Sequence, residues 1–513
     1  MTPVFEVKPE RTESRDELAS GQPDVNSGSL APPSADHHSL SWRRQRPDSE
    51  VESLFATTGE MPALAVTLEL PSYPFRQDGP GITHEYGARR SGYSTAYALI
   101  LNTAGTTGLG FVYWAVATHI YSAKTVGRSS ALVSALLLLS ALTQLNVSSA
   151  LQRYLPQAGN SARRLVGYGY AVSSLVALPV AVGFVLVMPR LSSQWEFLSG
   201  SRLLTLLFVG AALVWGVFAL EDAALTGLRR AGVVPIENTV YGVLKLTMLI
   251  FVAALLPAAG IFASWVAPLV VVIPVVNFLI FRKFMRNGEA EQRQKPVRRR
   301  EIVRFTSADY LASLCNQAYA SLLPLMVLSA LGAAASGRFY IAWTIAAGPT
   351  MIAANFGTSL MVDAAAAPHR LAELTRGIAI RCTVTTLACS AVVILGAEPI
   401  LRIYGAKYAT QAAPLLMLLG LGAIPRALIM LTWSLDRLAR RMRRAALTQA
   451  LLTILVLAGS RILLGRYGID AIGYAWLSAN VVVALLRLPT LISAAGVGRR
   501  KPGRHRAPSR VAR

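Results

Sequence analysis

The stretch FRKFMRNGEAEQRQKPVRRREIVR, residues 281–304, divides the chain. Nine of its residues are Lys or Arg, against Glu289, Glu291 and Glu301. It holds no apolar run long enough to fold alone, and Pro296 discourages a continuous helix. It reads as a solvated basic loop. Six long apolar stretches precede it and six follow it, so the side of a membrane that holds this loop sets the orientation of all the others.

Those stretches run approximately 93–118, 130–152, 165–189, 203–225, 236–257 and 261–281, then 305–329, 339–361, 376–397, 411–435, 445–464 and 471–493. About 20 helical residues cross a bilayer core of ~30 Å, so each is long enough to span with some tilt. With 53% of the 513 residues hydrophobic and 15% charged, the expected class is an all-α integral membrane protein of about 12 transmembrane helices. Two six-helix lobes, 91–282 and 304–495, flank a basic linker at 283–303. Residues 1–90 are rich in Ser, Pro, Gly, Asp and Glu and have no signal-peptide pattern; they read as a disordered cytoplasmic tail. A short basic tail, 496–513, ends the chain.

The charge is unevenly placed. Of the 27 acidic residues, 14 fall in positions 1–90, which leaves 13 acids against 41 Lys or Arg in the rest. A basic balance of this size in a soluble protein suggests nucleic acid, but these clusters alternate with membrane-length apolar runs and match no recognition module, so no nucleic-acid partner is expected. Twelve spans put both termini on one side. Loops and tails on the side of the basic linker then hold 28 Lys or Arg beyond Arg90, and the opposite loops hold nine. The positive-inside rule makes both termini cytoplasmic. Cys315, Cys382 and Cys389 all lie in apolar stretches, and no span carries a histidine pair, so neither a metal site nor a cofactor is expected.

An internal repeat supports the division. VGRSSALVSAL (126–136) parallels SGRFYIAWTIA (336–346), with Gly127 and Arg128 falling on Gly337 and Arg338, and NVSSAL (146–151) parallels NFGTSL (355–360). Parallel six-span repeats are an architecture of alternating-access transporters.

Three runs carry a family resemblance: HIYSAKTVGRSSALVSALLLLSALTQLNVSSALQRYLPQAG (119–159), LPLMVLSALGAAASGRFYIAW (323–343) and ILRIYGAKYATQAAPLLMLLGLGAIPRAL (400–428). They resemble the bacterial polysaccharide-biosynthesis membrane proteins, the O-antigen-type lipid-linked oligosaccharide flippases of the multidrug/oligosaccharidyl-lipid/polysaccharide exporter superfamily. The resemblance spans roughly 90–495. It implies a two-lobed, twelve-helix exporter fold in the bacterial plasma membrane. It further implies a polyprenyl-pyrophosphate-linked glycan as substrate, membrane lipids around it, and a polysaccharide polymerase or glycosyltransferases as partners.

A charge near the bilayer centre is costly and so invites a functional reading. Lys245, in the middle of the fifth stretch, and Arg426, directly after Pro425 in the tenth, are the main candidates for meeting a diphosphate in an aqueous cavity. The competing reading makes each a structural cation bonded to another helix. Arg153 at an inner span end and Arg381 are further candidates, while Arg381, Arg461 and Arg487 also lie close enough to span ends to snorkel to the interface. Glu221, Asp222, Glu237, Asp309 and Asp436 cluster at inner ends, as gate ion pairs or solvated interface groups. Asn102, Thr106, Asn316, Gln317 and Asn480 lie near the midplane, with the repeat-related Asn146 and Asn355 slightly further in. Helix–helix hydrogen bonding is the plain role for these amides, and a sugar-contacting wall is the functional one.

Three function classes compete. A flippase needs a cationic cavity, short loops and no catalytic constellation. A cation-coupled exporter of drugs or small molecules is the alternative; an acid in the first helix would favour it, and 93–118 has none. A membrane polymerase or ligase needs a sizeable outer loop carrying catalytic acids. Here the outward loops are short and hold only Glu196, Glu398 and Asp470, so no enzyme activity is expected. No GxxxxGK[ST] loop occurs, which points to a gradient or mass action as the energy source.

Overall fold

Each apolar stretch described by the structure is a helix, because a peptide group in hydrocarbon must find its hydrogen bond within its own segment. The computed structural model describes residues 107–228, 230–285 and 299–496. The 1–90 tail, most of the basic linker and the C-terminal tail beyond 496 lie outside the described residues, as do Asn102 and Thr106.

In chain order the helices are α1 (107–120, the described end of the first apolar stretch), α2 (Ala123–Thr143), α3 (Val147–Tyr154), α4 (Ala162–Leu191), α5 (Glu196–Ser199), α6 (Arg202–Gly227), α7 (Val234–Ala253), α8 (Gly260–Val266) and α9 (Leu269–Phe278). α9 runs on into a π-helical turn, Leu279–Phe284. After the linker come α10 (Arg299–Leu331), α11 (Ala333–Ala366), α12 (Leu371–Leu395), α13 (Ala397–Arg402), α14 (Ala406–Leu438), α15 (Met442–Tyr467) and α16 (Asp470–Ala494). Among the described residues, eleven helical segments are long and apolar enough to cross a membrane. Their outer faces carry fully apolar side chains such as Leu175, Leu206, Leu395 and Ile462 in exposed positions. Such a surface suits lipid rather than water.

The second span departs from its expected bounds of 130–152. α2 begins at Ala123, where the Ser122 hydroxyl accepts from the Thr125 N–H at 3.2 Å, and it stops at Thr143. Leu145 and Asn146 then adopt positive φ values of 46° and 62°, and α3 sets off in a new direction. Local side-chain bonds compete with the helix here. Gln144 donates to Ser140 Oγ at 2.8 Å and accepts from Ser148 Oγ at 2.7 Å, while Ser149 Oγ donates to Asn146 Oδ1. Hydropathy registers the apolar neighbours and misses this polar break, so Asn146 sits at a helix junction rather than inside a span.

α2 and α11 cross at Gly127 and Gly337. A Cβ on Gly127 would lie 1.7 Å from the Ala333 carbonyl oxygen, and one on Gly337 would lie 2.8 Å from that of Ala123. Only residues without a side chain allow two backbones this close. The contact is reciprocal: Ala123 and Ala333 are spaced by 210 residues, as the two glycines are. Reciprocity of this kind is the mark of a two-fold axis.

Further bonds join the segments before and after the linker at the end of the molecule bearing the 191–202 and 395–406 connections. Ser192 Oγ donates to the Ser329 carbonyl at 3.3 Å and Trp195 Nε1 to Ser329 Oγ at 3.0 Å. Tyr404 OH donates to the Phe111 carbonyl at 3.4 Å, and burial pushes its phenol up to about 12, so it stays a donor. At the opposite end, Tyr310 OH donates to the carbonyls of Ala141 and Leu142, both at 3.1 Å.

Candidate functional site

The two midplane cations each sit in an aromatic cage, one on either side of the linker. Lys245 of α7 is 1% exposed. Its Nζ lies 4.6 Å from the Tyr113 ring centroid, 5.4 Å from that of Tyr241 and 4.2 Å from that of Trp265. The rings are held in turn: Tyr241 OH donates to the Trp265 carbonyl at 3.0 Å, and Tyr113 OH donates to the Ile261 carbonyl at 3.0 Å beside Ser264 Oγ. Trp215 of α6 packs against both Tyr241 and Trp265. A desolvated ammonium over such faces gains cation–π attraction.

Arg426 of α14 is 0% exposed. Its Nη2 donates to Asn316 Oδ1 at 2.6 Å and to Tyr319 OH at 3.0 Å, both on α10, and its Nη1 donates to Gln449 Oε1 of α15 at 3.4 Å. Its guanidinium also lies 5.6 Å from the Tyr319 centroid and 6.0 Å from that of Trp476 on α16. One planar fork therefore ties four helices together. Beside it, Tyr319, Trp343 and Trp476 form edge and tilted contacts with centroids 5.1–6.3 Å apart. With Ala346, Ala347, Thr350 and Leu419 they line a crevice of about 20 Å³, room for a water molecule.

The cages share a plan. Each takes a tyrosine from the first helix of its segment, Tyr113 or Tyr319, and a tryptophan from the last membrane-length stretch, Trp265 on α8 or Trp476 on α16. The tryptophans are 211 residues apart, close to the repeat offset. That spacing was the available signal in the sequence; charge alone picks out the cations and not their surroundings.

The other candidates are dispersed. Gln317 is buried and donates to Ser321 Oγ at 2.7 Å, and Asn480 is buried and donates to the Trp476 carbonyl at 2.8 Å. Asn355 is half-buried on α11. Arg153 lies on α3, its guanidinium 5.6 Å from the Tyr154 centroid. Arg381 and Arg461 are exposed, on α12 and α15. Arg487 does not snorkel: it is buried and ion-paired with buried Asp436 of α14. Glu221 and Glu237 are also buried, rather than solvated at an interface. The side chain of Asp309 lies outside the described residues.

A larger space opens between α1 and the second segment. Phe111, Val112 and Ala115 face Ile345, Pro349 and Ile352 of α11, Val392 of α12, and Ile400 and Ile403 near α13, around a groove of about 530 Å³. Its walls are almost wholly apolar.

Comparison with known proteins places the architecture. No family model and no curated protein matches the chain. Solved structures do. An inward-facing multidrug resistance MATE family transporter of the MOP superfamily superposes with a TM-score of 0.58 at 15% identity, over 77% of this chain and 96% of the other. The chain has the MATE transporter fold. The MATE multidrug transporter DinF-BH aligns with a TM-score of 0.58 at 15% identity, covering 82% of this chain and 100% of the other. An outward-facing MATE transporter aligns at 0.55 and 14% identity, over 82% and 100%. These matches run through both segments flanking the linker, and they are to transporters rather than enzymes.

Proposed function

We propose that the chain is an alternating-access exporter of amphiphilic small molecules in a bacterial plasma membrane. The observation that carries this reading is the near-complete coverage of multidrug transporters captured facing inward and facing outward. The reciprocal Gly127–Gly337 crossing supports it, since two halves must pivot about such a contact to expose a central site to each side in turn. The excess of basic residues on the linker side supports a cytoplasmic position for both termini. The aromatic wall of Tyr319, Trp343 and Trp476 is proposed to meet the ring system of the substrate once the two halves part, because the crevice beside it has room for a water molecule alone in this state.

A second reading, export of a polyprenyl-pyrophosphate-linked oligosaccharide, is favoured by the apolar groove between α1 and α11–α13, which has the chemistry to hold an isoprenoid chain. In that case a polysaccharide polymerase or glycosyltransferases would be its partners. One comparison separates the two. Cells lacking the gene should retain a fluorescent cationic dye and show no build-up of lipid-linked glycan on the inner leaflet. Normal dye efflux together with glycan build-up would replace the first reading by the second.

A further inference from the structure

The turn between α14 and α15 carries more positive charge than its place in the fold accounts for. Arg437, Arg440, Arg441, Arg443 and Arg444 crowd into it. The repeat offset sets them against the turn between α6 and α7, where Leu228 and Arg230 fall on Leu438 and Arg440 but only Arg229 and Arg230 are basic. A pair of arginines suffices there, so orientation in the membrane gives no reason for the larger cluster. The chain itself does not neutralise it. Asp436, the acid of this turn, is 2% exposed and is taken by Arg487 of α16. The Arg441 N–H donates to the Asp436 carbonyl at 2.7 Å and the Arg444 N–H to the Arg441 carbonyl at 3.0 Å. This folding gathers the exposed side chains of Arg440, Arg441, Arg443 and Arg444 around one short connection. None of these four forms an ion pair with a described acid. Arg444 Nη2 donates to Thr490 Oγ1 of α16 at 2.6 Å, a neutral partner. Even the buried Arg487 Nε finds no acceptor.

The cluster stands at the foot of an apolar surface. Arg443, Leu447, Leu451 and Ile454 recur at helical spacing and share one face of α15. Leu447 is 71% exposed and Ile454 63%. On α16, Leu486 lies one turn from Thr490 and is 61% exposed. Guanidinium groups without acid partners, followed along the same helix by side chains that face hydrocarbon, match the two parts of a charged lipid. We infer that the turn between α14 and α15 binds the headgroup of an anionic phospholipid in the leaflet on the linker side, with an acyl chain laid along Leu447, Leu451 and Ile454. Each guanidinium offers a planar fork to phosphate oxygens. A zwitterionic headgroup brings its own cation against the arginines and is the poorer occupant. The site stands whatever the chain exports.

The test titrates full-length protein in detergent with phosphatidylglycerol or with phosphatidylcholine of the same acyl chains, and native mass spectrometry counts the bound lipids. Wild type should prefer phosphatidylglycerol. The double variant Arg441→Gln with Arg443→Gln should bind it about tenfold more weakly or worse, with phosphatidylcholine binding unchanged. Arg437, Arg440 and Arg444 remain to fix orientation, and neither removed side chain has an acid partner, so thermal stability in lipid-free detergent should match wild type. Arg441→Lys with Arg443→Lys should keep most of the affinity, because the charge survives. The matched control, Arg229→Gln with Arg230→Gln, removes the same charge from the repeat-related turn and should bind phosphatidylglycerol as wild type does. Equal losses in the two Gln pairs would reduce the effect to net charge and overturn the inference, as would full affinity in the 441 and 443 variant. Inorganic phosphate at millimolar concentration should leave the lipid in place; its displacement would overturn the lipid in favour of a free anion.

Discussion

Arg426→Ala is expected to lower the amount of folded protein sharply, with a loss of about 3–5 kcal/mol, the cost of leaving buried partners of a charged, hydrogen-bonded group unsatisfied. The change strands Gln449 Oε1 and leaves Asn316 Oδ1 with the Tyr319 hydroxyl as its remaining donor. It also opens a void beneath Tyr319 and Trp476 at the junction of α10, α14, α15 and α16. Arg426→Lys should fall between wild type and Ala, because the charge survives while a point donor cannot span partners that a planar fork reaches at once. Size-exclusion profiles of the solubilised protein report the folded fraction. An Ala variant with normal abundance and reduced export per molecule would instead assign Arg426 to substrate contact.

The second large effect is expected at Asp436 and Arg487. Both side chains are buried, on α14 and α16, and they pair with each other. Arg444 at the start of α15 reaches Thr490 of α16 at 2.6 Å beside them. Removing either partner leaves an uncompensated buried charge, at a cost of about 3–5 kcal/mol. Removing both leaves none, so the double Ala variant should be more stable than the sum of the single losses implies. A thermal-stability cycle over the four proteins checks this. Additive losses would mean that the two charges are solvated separately.

How far the sequence could be read follows from what each feature depends on. Span positions depend on length and apolarity, which are local properties, and eleven of the twelve expected stretches coincide with membrane-length helices among the described residues. The Gly127–Gly337 alignment was legible because close backbone approach restricts both sites to glycine. The break at Leu145–Asn146 was not, since it arises from hydrogen bonds among Gln144, Asn146, Ser148 and Ser149 that an apolarity window averages away. The fate of a charge depends on partners distant in sequence. Arg487 is about five residues from the expected end of its span, which suits snorkelling, yet it turns inward because Asp436 waits 51 residues away. Glu221 likewise reads as a gate ion pair or a solvated interface group until α9 brings Asn277 onto it. The cages needed both halves of the information: the cations stood out alone, and only the packing of α1 with α7 and α8, and of α10 with α14 and α16, supplied their rings.

The central claim is that the segments before and after the basic linker move against each other to export a substrate. Ser192 and Ser329 offer the direct test, since they meet at the end assigned to the outside. In a variant with Cys315, Cys382 and Cys389 replaced by Ser, cysteines at 192 and 329 would be bridged by a membrane-impermeant, cleavable thiol cross-linker added outside intact cells. The account expects cross-linking to stop dye efflux and cleavage of the linker to restore it. Full efflux from completely cross-linked protein would contradict the account.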